Sequence, residues 1–298
     1  MRGCNEVRLR HVRISVTEVV SPVTNLSMLR ICLLLTAPAI SALAAPNALE
    51  RGYSHMYDLQ FADAHKAFAE WNQARPSDPL GPVSDAAAYL FSEFDRLHIL
   101  QSEFFTHDQH YLTDHKLSPD PNIKQQFYRA LEQGRAIAVK ASPFDKDAQF
   151  ASILANGLES DYLALIEKRY TASFQKMKLA RTQAERLLAS DPTYYDAWVA
   201  VGVENYVLSA KAALMRWLLR LSGGQTNKAV GVEKLKLVAE KGRYLAPFAR
   251  LLLAVAALRD NNHGRARDLL AELSRDYPHN PLYREELTRI EPLARSTR

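Results

Sequence analysis

A set of small, bulky and proline residues that recurs at fixed spacing is the feature that most constrains the fold of this chain. In one occurrence, Ala266, Leu270 and Leu273 stand at i, i+4 and i+7, and Pro278 follows at i+12. Residues at i, i+4 and i+7 share one face of an α-helix, and proline often follows a helix end. The spacing therefore predicts a helix whose small residue allows a close approach to its neighbour.

The same spacing occurs twice more along the chain. The two earlier sets are Ala64, Phe68, Trp71 and Pro76, and then Ala180, Ala184, Leu187 and Pro192. Gly52 and Ala254 lie 12 residues before Ala64 and Ala266, so small residues also recur in the preceding helices. Trp198 and Gly202 begin a further first helix after the second set.

At these residues the chain resembles the tetratricopeptide repeat (TPR) family, in which helix–turn–helix units of about 34 residues stack side by side. The resemblance implies an all-α fold, a right-handed α-solenoid of helix–turn–helix repeats with elongated middle hairpins. It implies a TPR-like helical domain over residues 45–298, with repeats near 46–79, 145–192, 193–243 and 244–280 and a capping helix at 281–294.

Composition and periodicity agree with a helical chain. Only 11 of 298 residues are glycine and 47% are hydrophobic, which is typical of a helical rather than a loop-rich protein. Apolar residues at helical spacing predict a series of helices between the turn-forming segments. These helices are predicted at Asn47–Asp58, Phe61–Ala74, Ala86–Phe105, Asn122–Ala141, Asp145–Asp161, Tyr162–Ser190, Asn227–Lys241 and Leu282–Leu293.

Residues 28–44 have the pattern of a secretory signal peptide. Arg30 precedes an apolar run that continues to Ile40, and small residues at Ala42 and Ala44 fit cleavage after Ala44. The alternative is a membrane anchor, but the run is shorter than the roughly 20 apolar residues that a spanning helix needs. We therefore expect export to the periplasm or the cell envelope.

Residues 1–27 show no apolar periodicity, so we expect an unstructured upstream extension, with Met28 as the true initiator. Cys4 and Cys32, the two cysteines of the chain, both precede the predicted cleavage site. The predicted mature chain therefore cannot form a disulfide or a thiolate metal site. Of the net charge of +5, residues 1–44 carry five arginines against two glutamates, which leaves +2 for the rest and does not favour nucleic-acid binding.

Motifs that would place catalytic or phosphate-binding residues do not occur in the sequence. It has no Gly-x-Ser-x-Gly, no Gly-x-x-x-x-Gly-Lys-Ser/Thr and no Gly-x-Gly-x-x-Gly. The sequence therefore predicts a non-enzymatic protein without a cofactor.

A histidine cluster leaves one alternative open. His107, His110 and His115 lie within nine residues, beside Asp108 and Asp114. Imidazole and carboxylate groups suit zinc and similar ions, so the cluster could serve a metal-binding protein or a metal-dependent hydrolase. The competing interpretation is a polar loop, because His-Glu-x-x-His is absent.

The segment Lys211–Leu221 is apolar and carries Arg216, Trp217 and Arg220. It could contact a membrane surface peripherally, or pack against neighbouring helices with its arginines in solvent. The pattern Leu218-Leu219-x-x-x-Gly223 and Gly231-x-x-x-Leu235 is similar to the tetratricopeptide repeat protein 39 and inclusion-clearance family, although Gly-Gly-Gln-Thr-Asn replaces the Gly-Asp-Arg expected there.

These observations predict a protein–protein interaction scaffold or adaptor of the bacterial cell envelope. First helices of stacked hairpins line a concave face that suits a peptide or a partner helix. In the register of the TPR family, the predicted partner-binding residues are Tyr53, Met56, Tyr57, Val199, Val203, Tyr206, Leu251, Val255 and Arg259. The alternative for these residues is burial under neighbouring segments.

Overall fold

The computed structural model describes residues 46–100, 117–210 and 227–296, with side chains except at 206–210 and 294–296. All regular elements in these ranges are helical, so the all-α prediction is confirmed. The α-helices are α1 Ala48–Tyr57, α2 Phe61–Ala74, α3 Leu80–Arg96, α4 Pro121–Ala138, α5 Lys146–Asp161, α6 Tyr170–Ser190, α7 Trp198–Ala210, α8 Lys228–Lys241, α9 Ala246–Arg259, α10 His263–Asp276 and α11 Pro281–Ser296.

Side-chain caps determine where several helices begin. Asn47 accepts the backbone N–H of Glu50 at 2.9 Å, and the Glu50 carboxylate accepts the N–H of Asn47 at 3.0 Å. This capping box satisfies N–H groups that the first helical turn leaves without partners. Further caps come from the side chains of Asp120, Asp145, Asn227 and Asn262.

Each helix packs mainly against the helices that precede and follow it in the chain. The recurring small and bulky residues lie in these contacts. At most 7% of the surface of any of them is exposed: Ala64, Phe68, Trp71, Ala180, Ala184, Leu187, Ala266, Leu270 and Leu273. Gly52 of α1 lies so close to α2 that a Cβ atom there would overlap the Phe68 ring. The spaced residues are therefore packing positions.

The largest differences in helix boundaries from the sequence prediction are at the two ends of the third helix. The third helix begins at Leu80 rather than Ala86, because the Asp78 carboxylate accepts the Leu80 N–H at 2.9 Å and starts the helix early. It ends at Arg96, and His98 then takes a left-handed backbone with φ of 57°. The chain direction therefore changes before the predicted end at Phe105.

The predicted helix Tyr162–Ser190 is divided into two. A π-helix covers Tyr162–Ile166 and continues directly from α5. Lys168 then has a φ of 57°, in the left-handed region that an α-helix cannot include, and α6 begins at Tyr170.

The first helix contacts the turns that surround the last helical hairpin. The Asp58 carboxylate accepts the backbone N–H of His279 at 2.8 Å and lies 2.6 Å from the Nδ1 atom of His279. Asn280 Nδ2 donates to the carbonyl oxygen of Tyr57 at 2.9 Å. Arg243 forms an ion pair with Glu50 at 2.6 Å. The two ends of the helical array are thereby held together.

Several sequence predictions concern residues outside the described ranges. These are the extension at 1–27, the signal peptide at 28–44, the histidine cluster at His107–His115 and the apolar segment Lys211–Leu221. Among the helices in the described ranges, none combines the length and the apolar character needed to cross a membrane.

Candidate functional site

An apolar cavity of about 90 Å³ lies among the helices and is partly open to solvent. Its walls come from α1, α3, α5, α6, α7 and α9, and most of the lining side chains are aliphatic or aromatic. On one side of the cavity, α1 contacts the turn that precedes α9. Tyr57 lines the cavity, and its hydroxyl group donates a hydrogen bond to the Tyr244 carbonyl oxygen at 3.2 Å.

The structure brings five of the nine predicted partner-binding residues to this cavity. They are Tyr53, Met56, Tyr57, Val199 and Val203. Four of the five are buried, and Val203 is half-buried. These side chains can therefore reach a partner only through the cavity.

The other four predicted residues lie elsewhere. Val255 is buried within α9, whereas Leu251 and Arg259 of the same helix are half-buried. None of the three lines the cavity. The side chain of Tyr206 lies outside the described part of the chain.

A buried carboxylate positions the aromatic wall. Asp196 accepts the backbone N–H groups of Arg243, Tyr244 and Leu245 at 2.8, 3.1 and 2.8 Å. Burial raises the pKa of Asp196, and the three hydrogen bonds oppose that rise. Tyr244 is thereby held with its ring centroid 5.2 Å from that of Tyr53, in a stacked arrangement. The turn before α9 therefore packs against the side of α1 that carries Tyr53.

The wall formed by α5 combines open space beside a glycine with a carboxyl group that has no protein partner among the described residues. A Cβ atom added to Gly157 would have no heavy atom within 4 Å, so the cavity lies directly beside this helix position. Asp161 follows one turn later and also lines the cavity. Burial raises the pKa of the Asp161 carboxyl from 3.8 to about 7, because the ionised form loses its hydration.

Asp161 is not among the predicted site residues, although the sequence contains a signal for it. Leu154, Leu158 and Asp161 stand at i, i+4 and i+7, so an acidic residue continues the apolar face of the helix. Asp161 is half-buried, and an acidic side chain that lines an apolar cavity marks a candidate functional residue. The aromatic residues Phe91 and Phe248 also line the cavity, and neither is among the predicted partner-binding residues.

The cavity has few polar lining side chains. Its polar lining side chains are two tyrosines, one serine and one aspartate, and Ser160 is engaged with Ser173 at 3.0 Å. In the part of the chain that the structure describes, no group of three or more His, Cys, Asp or Glu side chains could hold a metal ion.

Comparisons with protein-family models, curated proteins and solved structures found no match for this chain.

Proposed function

We propose that this chain is a non-enzymatic scaffold that binds another protein by taking one of its side chains into the apolar cavity. The observation that carries the proposal is the meeting of Tyr53, Met56, Tyr57, Val199 and Val203 around a single opening. A volume of about 90 Å³ suits one side chain. It is well below the roughly 300–1,000 Å³ of pockets that hold cofactors and drug-sized molecules.

We further propose that residues 45–298 form a right-handed α-solenoid of TPR-like repeats. Nearest-neighbour packing supports this, because helical repeats contact mainly the repeats beside them. Elongated middle hairpins agree with the lengths of α5 and α6, which have 16 and 21 residues. The buried small residues at equivalent positions of α2, α6 and α10 give further support.

Departures from regular helical structure cluster at and directly after the α5 wall of the cavity, which supports a binding role there. A glycine inside a helix costs about 0.5–1 kcal/mol relative to alanine, and Gly157 has space for a larger residue. Asp161 is a half-buried carboxyl among apolar side chains. The π-helix Tyr162–Ile166 follows it directly, and single-turn π segments are frequent at functional sites. Departures from local stability that cluster in this way are expected where function requires them.

Export to the periplasm or the cell envelope remains part of the proposal, on the basis of the signal-peptide pattern at residues 28–44. Sequencing the N-terminus of the protein recovered from cells tests this. A mature chain that begins at Ala45 is expected, and a chain that retains residues 28–44 in the cytoplasm would contradict it.

Partner capture with a blocked cavity tests the scaffold function. Wild-type protein and a Gly157→Leu variant are immobilised and exposed to an envelope extract of the organism that makes the chain. The leucine side chain is expected to fill the opening. A specific partner should therefore be retained at least tenfold less by the variant.

A matched control changes an apolar residue far from the cavity. Val139 is 86% exposed and lies outside the cavity lining, so a Val139→Ser variant should retain the partner as wild type does. Equal retention by the wild type and Gly157→Leu would show that the cavity is not the binding site.

A further inference from the structure

Asp161 is the half-buried carboxyl of the cavity, and the other polar lining groups have protein partners. Tyr53 accepts a hydrogen bond from Ser84 Oγ at 2.9 Å, and Tyr57 donates to the Tyr244 carbonyl oxygen at 3.2 Å. Ser160 is engaged with Ser173, as described above. Asp161, by contrast, has no hydrogen bond and no ion pair to any residue in the described ranges.

Aromatic rings line the same cavity as this carboxyl. The Tyr57 and Phe91 ring centroids lie 6.0 Å apart, and the Phe91 and Phe248 centroids lie 6.1 Å apart. The face of an aromatic ring carries negative charge density and attracts cations. The carboxylate and the rings therefore favour the same kind of ligand, one with a positive charge and an apolar body.

We propose that the cavity recognises a primary ammonium group on a short alkyl stem, and that a lysine side chain of the partner protein supplies it. The Asp161 carboxylate pairs with the ammonium, and the apolar walls contact the methylene groups. This inference rests on the proposed function, because that function makes the occupant a side chain of another protein.

Two properties of the site favour lysine over arginine. Arginine carries five N–H donors in a fixed planar fork and needs several acceptors when it is buried. The cavity offers a single unpartnered carboxyl among the described lining residues. The volume is also smaller than the roughly 150 Å³ cavity that holds benzene, which suits a linear stem.

Two methionines supply a direct readout of occupancy. Met56 and Met177 both line the cavity, and the chain has 5 methionines in total, so spectra of protein labelled with ¹³C at the methionine methyl groups contain few signals. The probes are n-butylammonium chloride, 1-butanol as its neutral counterpart, and two pentapeptides, Gly-Gly-Lys-Gly-Gly and the same peptide with norleucine. A Met177→Leu variant assigns the two signals.

We expect n-butylammonium and the lysine peptide to shift the Met56 and Met177 signals in a saturable way. Each should bind at least tenfold more tightly than its neutral counterpart. Asp161→Asn should reduce the preference for the charged probe at least tenfold. Asp161→Glu keeps the charge and should therefore retain part of that preference.

The other outcomes separate this inference from the proposed function. If Gly157→Leu leaves every shift unchanged, the cavity is not the site and both proposals fail. If charged and neutral probes bind equally and Asp161→Asn has no effect, the ammonium inference fails while the cavity remains a binding site. If n-butylammonium binds but the lysine peptide does not, the occupant is a free alkylamine, and the assignment to a partner lysine is overturned.

Discussion

Replacing Asp161 by asparagine should stabilise the folded chain, and the gain should grow as the pH rises. The carboxyl has a pKa of about 7 in the folded state and 3.8 when exposed, because burial disfavours its ionised form. Between these values the folded state binds more protons than the unfolded state, so stability falls as the pH rises. Above pH ~7 the folded state bears the full free-energy cost of holding the ionised carboxylate in the cavity wall. Asparagine has the same shape and no charge, so it removes this cost.

The magnitude follows from the two pKa values. Each pKa unit corresponds to about 1.4 kcal/mol, so a rise from 3.8 to about 7 costs the folded state about 4 kcal/mol at pH ~8. At pH ~4.5 the cost is about 1 kcal/mol, because the folded carboxyl is still protonated and the pH lies less than one unit above the unfolded pKa. The advantage of Asp161→Asn should therefore increase by about 3 kcal/mol between the two pH values.

Urea unfolding followed by circular dichroism at these two pH values measures the difference. A Glu240→Gln variant is the control, because it removes one carboxylate from an exposed position of α8 that lies outside the cavity lining. The control should follow the wild type at both pH values within about 0.5 kcal/mol. An advantage of Asp161→Asn that is the same at both pH values would refute the assignment of a desolvated carboxyl without a partner in the described part of the chain.

Further substitutions test the packing and the closure of the array. Gly157→Ala should raise the free energy of unfolding by up to about 1 kcal/mol, because the Cβ enters open space. Gly52→Ala, the matched substitution in α1, should lower it by about 1–3 kcal/mol because its Cβ overlaps the Phe68 ring, and urea midpoints of the two variants compare them directly. Asp58→Asn should cost about 1–3 kcal/mol, since it weakens both contacts to His279. Faster amide hydrogen exchange at residues 277–280 should accompany it, and unchanged exchange there would contradict the closure.

Much of the helical framework could be predicted from the sequence because its signals are local. The helix Phe61–Ala74 has the predicted boundaries, since its apolar face and the proline that follows lie within one turn of its ends. The boundaries of α3 differ from the prediction for two reasons. The Asp78 side chain accepts the Leu80 N–H at the start, and His98 takes a left-handed backbone conformation after the end. Local periodicity does not specify either effect.

The predicted inner face of α1 could be assigned from the repeat register, but the segments that pack against that face could not. Tyr53 and Tyr57 lie on the predicted face of α1, yet they are 3% exposed because the turn at Tyr244 packs against them. Tyr57 and Tyr244 are 187 positions apart in the chain. No pattern within one helix reports such a contact. Asp161 could have been found, because an acid on an apolar face is visible in the sequence itself.

The contacts from α1 to residues 243–245 and 277–280 have a consequence for the order of events during synthesis. One wall of the cavity is fixed by residues that leave the ribosome almost last. Pairings between distant parts of a chain also form slowly, because a long loop must close first. The cavity is therefore complete only after nearly the whole chain has been synthesised, so any binding that depends on it must wait for the finished protein.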